Sequence, residues 1–150
     1  MRRACGALCL LALLAAGCSS PFKPKVTTVA AQVAAAATVN ADARKRPSPI
    51  VVRVYELAGR NAFDTLDFVT LYERDKEALA ADLVSREEMA LRPGESREWK
   101  KTLAPNTRFI GVVAAYREIE KAQWRAVYVV KPLAANTVVI SADDLAVSFK

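Results

Sequence analysis

Ile50-Val51-Val52-Arg53-Val54-Tyr55-Glu56-Leu57 reads as a β-strand. Ile50, Val52 and Val54 share one side and Val51, Arg53, Tyr55 and Leu57 the other, and period-two alternation rich in β-branched residues favours a pleated, half-buried strand over a helix. Pro47-Ser48-Pro49 precedes the run and Ala58-Gly59-Arg60-Asn61 turns the chain after it. The same grammar recurs downstream. Strands are expected at 87–91, at Ser96–Leu103 around Trp99, at Phe109–Tyr116 within Thr107–Glu118, at Gln123–Lys131 and at Thr137–Ile140, with Leu145, Val147 and Phe149 closing the chain. Arg92-Pro93-Gly94-Glu95, Pro105-Asn106 and Pro132–Asn136 supply turns between them. Seven or so short strands with turns at regular spacing predict a mainly β protein, an antiparallel β-sandwich.

Two segments depart from this pattern. Val26–Asn40 is alanine-rich, which favours helix by propensity. Its valines nevertheless share parity with Ala31, Ala35 and Ala37, while Thr28, Gln32, Thr38 and Asn40 take the other face, so a strand is expected. Between Asp64 and Leu83 the spacing becomes helical: Phe68, Leu71 and Tyr72 recur at i, i+3, i+4, with Asp64 and Asp75 placed as caps. A helical insertion over about 64–84 follows. Ser85–Glu88 has the form of a capping box, but Pro93-Gly94 arrives too soon for another helix.

The N-terminus is an address. Arg2 and Arg3 precede an apolar run from Ala4 to Ala16, too short to span a bilayer core of ~30 Å as a helix. Ala15-Ala16-Gly17 then leads into Cys18, which resembles a bacterial lipoprotein signal cut before an acylated cysteine. Ala15 stands where Leu is usual, with Leu13 and Leu14 just upstream; an ordinary secretory signal cut near Gly17 is the alternative. By the same resemblance Ser19, which is not the Asp of inner-membrane retention, implies the periplasmic face of the outer membrane. Three divisions are expected: a signal peptide at 1–17, an acylated tether at 18–25 whose two prolines keep it extended, and one domain at 26–150.

Composition narrows the chemistry. The 150 residues include no His, which excludes Ser-His-Asp and Cys-His catalysis and the common His-containing zinc sites. Cys5 and Cys9 leave with the signal, so the exported domain has no cysteine pair to oxidise. Removing Arg2 and Arg3 lowers the formal charge from +6 to +4, and the charges are interspersed except at Arg44-Lys45-Arg46. No long basic stripe with stacking aromatics is present, so nucleic acid is not an expected partner. Glu118 and Glu120, like Asp143 and Asp144, read as solvated turns rather than an acid–base pair or a calcium loop. No enzymatic activity, small-molecule substrate, metal or cofactor is expected, apart from covalent lipid on Cys18.

The series Ser48-Pro49 through Leu57, Phe63, Asp67-Phe68, Leu71-Tyr72, Pro93-Gly94, Val113-Ala114-Ala115-Tyr116-Arg117 and Trp124-Arg125 resembles the type VI secretion lipoprotein family (TssJ, also called SciN or VasD). The resemblance runs in order from about Val26 to the C-terminus. It implies a transthyretin-like sandwich with a helical insertion, held at the outer membrane and docked on the periplasmic C-terminal region of an inner-membrane component, TssM. It further implies that the loop between the first two strands binds the partner; here that loop is Asn40, Ala41, Asp42, Ala43, Arg44, Lys45, Arg46, Pro47, Ser48 and Pro49. Its cations offer charge-assisted hydrogen bonds and its prolines reduce the entropy lost on docking. A solvated turn, or attraction to anionic lipid or sugar phosphate, are its other readings. Tyr116 and Trp124 are expected in the core, with Arg117 and Arg125 placed to clamp a carboxylate at the hairpin. A periplasmic module for peptide or envelope polymer is the rival function, and a carboxylate-dependent cell-wall hydrolase a more distant one.

Overall fold

The computed structural model describes residues 25–150. Cys18 and the stretches read above as signal peptide and tether, up to Pro24, lie outside the described residues. Eight strands form two four-stranded sheets: β1 (Thr28–Ala35), β4 (Ser96–Thr102), β7 (Ala135–Ala142) and β8 (Val147–Phe149) in the order β4-β1-β7-β8, and β2 (Ile50–Leu57), β3 (Leu83–Leu91), β5 (Phe109–Ala114) and β6 (Arg125–Val129) in the order β3-β2-β5-β6. All pairs are antiparallel except β1 with β7, which run parallel from Thr28↔Ala135 to Ala35↔Ala142. The expected sandwich is the one observed, with that single parallel pair added.

Alternation builds the core. Val29, Ala31, Val33 and Ala35 of β1 face Ile50, Val52 and Val54 of β2, joined by Trp99, Ile110, Val112, Val138 and Ile140, all buried. Burial of each large aliphatic side chain contributes ~1.5–3 kcal/mol. β1 ends at Ala35 rather than running to Asn40, because residues 37–40 turn and Asn40 adopts a left-handed φ of 51°. Val39 is buried although it has left the strand, whereas Ala37 is exposed.

Three short helices, α1 (Asn61–Thr65), α2 (Phe68–Glu73) and α3 (Asp75–Leu79), and a 3₁₀ turn at Ala80–Asp82 connect β2 to β3. They cover the outer face of the second sheet, where Phe63, Leu71 and Leu79 pack on Tyr55, Leu57 and Val113. Gly111 permits this approach: a Cβ there would stand 2.7 Å from Phe63 Cζ. The capping expectations change. Asp64 lies inside α1 and pairs with Arg60 at 2.5 Å, while Asp67 caps α2 by accepting from Thr70 N at 2.9 Å. Asp75 is the first residue of α3, and its buried carboxylate accepts from Arg86 at 2.6 Å and from the Tyr55 hydroxyl at 3.3 Å. β3 begins at Leu83, not 87, because Arg86, Glu87 and Glu88 pair in register with Tyr55, Val54 and Arg53 of β2.

The topology separates two ends. Lys25, the 103–108 turn and the 130–134 turn lie at one end. The loops 36–49, 92–95, 115–124 and 143–146 lie at the other, an eight-residue strand of ~26 Å away.

Candidate functional site

The loop between β1 and β2 is a closed structure and not a bare solvated turn. At its base Asn40 is buried; its Nδ2 donates to Pro49 O at 2.9 Å, and its Oδ1 accepts from Arg117 N at 2.8 Å. Ser48, also buried, donates its N–H to Val39 O at 3.1 Å. Asn tolerates the left-handed backbone required here better than other side chains. One residue thus closes the loop and ties it to the 115–124 segment.

At the tip, Asp42 gathers the backbone. Its Oδ1 accepts from Arg44 N at 2.8 Å and Arg46 N at 2.9 Å, while Oδ2 pairs with Arg46 Nη2 at 2.7 Å. The Arg46 N–H and then its guanidinium hold the Asp42 carboxyl below its usual range. The expected basic triplet is therefore divided: Arg46 belongs to the loop's own framework. Arg44 and Lys45 are exposed and make no ion pair among the described residues, with Lys45 in the left-handed region at φ 59°.

Two shallow clefts flank the loop. One of about 360 Å³ is lined by Thr38, Ala41, Asp42, Lys45, Glu118, Asp144 and Leu145. The other, about 740 Å³, runs from Pro49 along Leu91 to Glu95 and Arg97. Across the four loops of this end, six cations stand with six carboxylates. The acids at 143–144 are structural: Thr38 donates to Asp144, Asp144 O accepts from Asn40 N at 3.3 Å, and Asp143 accepts from Ser141 at 2.8 Å. Among the described residues, no group of three His, Cys, Asp or Glu side chains is placed to hold a metal ion.

The hairpin residues resolve differently from one another. Tyr116 is buried, its hydroxyl donates to Asp143 O at 3.1 Å, and desolvation pushes its pKa up. Trp124 is half-buried against Phe68. Arg125 clamps no carboxylate; it donates to the carbonyls of Phe63 at 2.9 Å and Leu66 at 2.6 Å, because the last carbonyls of α1 need donors. Arg117 contributes its backbone N–H to Asn40, and its side chain makes no ion pair among the described residues.

Sequence reasoning missed Glu56. Its parity places it on the inner side with Ile50, Val52 and Val54, where it is 1% exposed. It accepts from Ser85 Oγ at 2.6 Å, Thr107 Oγ1 at 2.9 Å and Ala104 N at 3.2 Å, and pairs with Lys101 at 2.7 Å. Desolvation pushes its pKa up, but these bonds outweigh it and hold the carboxyl below its ordinary value. A Glu at an inward parity position was the available signal.

An eight-stranded sandwich with a helical insertion and a structured β1–β2 loop defines a class of small two-sheet β proteins, and the comparisons place the chain in one family of it. The type VI secretion lipoprotein model (T6SS-SciN; VasD, EvfM, TssJ) matches residues 27–145, and the chain belongs to this family. The T6SS lipoprotein TssJ1 from Pseudomonas aeruginosa is 34% identical, with a TM-score of 0.81 over 83% of this chain and 95% of that one. A chain of the type VI membrane complex is 28% identical, with a TM-score of 0.68 over 82% of this chain and 98% of its own length. Serratia marcescens Lip, a membrane-bound component of the type VI secretion system, shares the fold at 24% identity and a TM-score of 0.76 over 83% of this chain and 96% of its own. No match is found among curated proteins.

Proposed function

We propose that this chain is a structural outer-membrane lipoprotein that anchors a type VI secretion membrane complex. Acyl chains on Cys18 hold one end at the periplasmic face, and the β1–β2 loop with its flanking clefts docks on the periplasmic C-terminal region of a TssM-type inner-membrane component. Family membership and the likeness to a chain of the type VI membrane complex support the assembly role. The observation that carries the docking site is the closed loop itself: Asn40 and Asp42 fix its backbone, while Arg44 and Lys45 stay free at the end opposite Lys25. A loop already ordered loses little entropy on binding, and free cations form charge-assisted bonds to a partner's carboxylates.

The function is tethering. Confining the domain to the membrane raises the partner's effective concentration without a new contact. Two or more acyl chains make such anchoring stable, since each buried CH₂ contributes ~0.8 kcal/mol. Mass spectrometry of the mature N-terminus and calorimetry with the partner's periplasmic fragment test the two halves separately. Expected are an acylated Cys18 and binding that weakens when Arg44 and Lys45 become Glu. An unmodified terminus rejects the anchor, and unchanged affinity moves the interface off this loop.

A further inference from the structure

The end of the sandwich nearest the tether carries a surface that the docking reading leaves unused. Val26, Val129 and Leu133 are 50%, 59% and 63% exposed, three of the most exposed large apolar side chains among the described residues. Their segments are joined: Leu133 N donates to Thr27 Oγ1 at 2.9 Å, Leu103 N to Thr27 O at 2.9 Å, and Val130 N to Arg108 O at 3.0 Å. Leu133 holds a left-handed φ of 54°, a conformation that Gly or Asn adopts at less cost, so a large apolar side chain stands at the tip of a turn that does not favour it.

Three of the segments that form this end carry charge of one sign. Segments 25–27, 103–108 and 130–134 carry Lys25, Arg108 and Lys131, all exposed, and no Asp or Glu. The helical insertion leaves and rejoins the second sheet beside them, where Asp64 pairs with Arg60 at 2.5 Å and the Asp82 side chain lies against Gly59. The far end, by contrast, balances six cations with six carboxylates.

We infer that this end rests on the anionic phospholipid surface to which the chain is tethered, with Val26, Val129 and Leu133 entering the headgroup region and Lys25, Arg108 and Lys131 meeting phosphates. The inference rests on acylation of Cys18, as proposed above. Cys18 lies seven positions before Lys25. A trans chain reaches at most ~3.6 Å per residue, so the domain stays within ~25 Å of the lipid. On so short a leash a weakly attracted face decides orientation, and cations near an anionic leaflet combined with apolar side chains supply that attraction. The docking loop is then directed away from the bilayer.

Once Cys18 is a thioether, an introduced cysteine is the sole free thiol of the mature chain. Acylated Pro132→Cys and Ala43→Cys chains carry a fluorophore at one end or the other on vesicles of phosphatidylethanolamine and phosphatidylglycerol. Aqueous iodide should quench the residue-132 label about three-fold less than the residue-43 label, and adding Lys25→Gln, Arg108→Gln and Lys131→Gln, or omitting phosphatidylglycerol, should remove most of that difference. Equal quenching of both labels on vesicle-bound protein overturns the inference and leaves the anchor intact. Shielding indifferent to lipid charge and to the triple change overturns its electrostatic basis. A chain that mass spectrometry finds unacylated, and that does not float with vesicles, overturns the anchoring reading and this inference with it.

Discussion

At the tether-proximal end, the turn at 103–108 is gathered by a buried carboxylate: Glu56 binds Ala104 N and Thr107 while pairing with Lys101 from the opposite sheet. At the far end, the loops are gathered by a buried amide: Asn40 binds Pro49 O and Arg117 N. Both side chains satisfy backbone groups that would otherwise be stranded in the interior. They differ in what disturbs them. A carboxylate answers to pH and to its lysine, whereas an amide carries no titratable proton. The buried latch at the end proposed to dock a protein is therefore insensitive to acid, although the loop tip above it is gathered by the Asp42 carboxylate, and the buried latch at the tether-proximal end is not.

The comparison breaks most visibly at Asn40. Asn40→Ala strands a donor and an acceptor and leaves a Cβ residue in the left-handed region, so urea unfolding should show a loss of about 3 kcal/mol. Hydrogen exchange should place the early loss of protection in 36–49 and 115–117; protection unchanged there would mean the amide is no latch. Glu56→Gln comes next, at about 2 kcal/mol at neutral pH, since it removes the charge-assisted bonds and turns an NH₂ toward Lys101. The folded carboxyl is depressed below its unfolded value, so its contribution is full above that unfolded value. It is lost as pH falls from about 4.5 through the lower folded pKa. Wild-type stability should decline across that window and the Gln variant more gently; parallel pH profiles would remove Glu56 from the account.

Arg44→Glu with Lys45→Glu should leave stability within about 0.5 kcal/mol, the ordinary range for exposed sites. Affinity for the partner fragment should drop about ten-fold at low salt, with the difference shrinking at high salt. A large stability loss would show that these cations serve the fold. The smallest effect belongs to Lys45→Gly, which relieves the φ of 59° against a larger unfolded-state entropy and should gain about 0.5 kcal/mol in urea unfolding.

What was legible in the sequence follows from how locally each feature is encoded. Strand parity is a property of neighbours, so the faces of β1 and β2 could be read directly, and the fold class with them. The parallel β1–β7 pair joins residues more than a hundred positions apart, and no local pattern announces it. Asp64, read as a cap, lost that role because α1 starts three residues earlier, at Asn61; carboxylate spacing alone does not fix a helix start. The polar stretch 40–49 was legible as a break between two strands, but the division of labour among its cations was not: Arg46 is taken by Asp42 only because residues 42–46 fold back on themselves. Arg125 likewise found carbonyls in place of a carboxylate, since its partners come from a helix some sixty residues away.

The parallel pair has a mechanical consequence. β1 runs from just after residue 25 to the loop proposed to dock a partner and lies between β4 and β7, hydrogen-bonded on both edges along its length. A pull between residue 25 and the loop acts along the axis of that one strand. Both points of attachment lie on one already extended strand, so its covalent backbone carries the load and neither flanking ladder is peeled open. Tension passing between two membranes would cross this domain through the strand best seated to bear it.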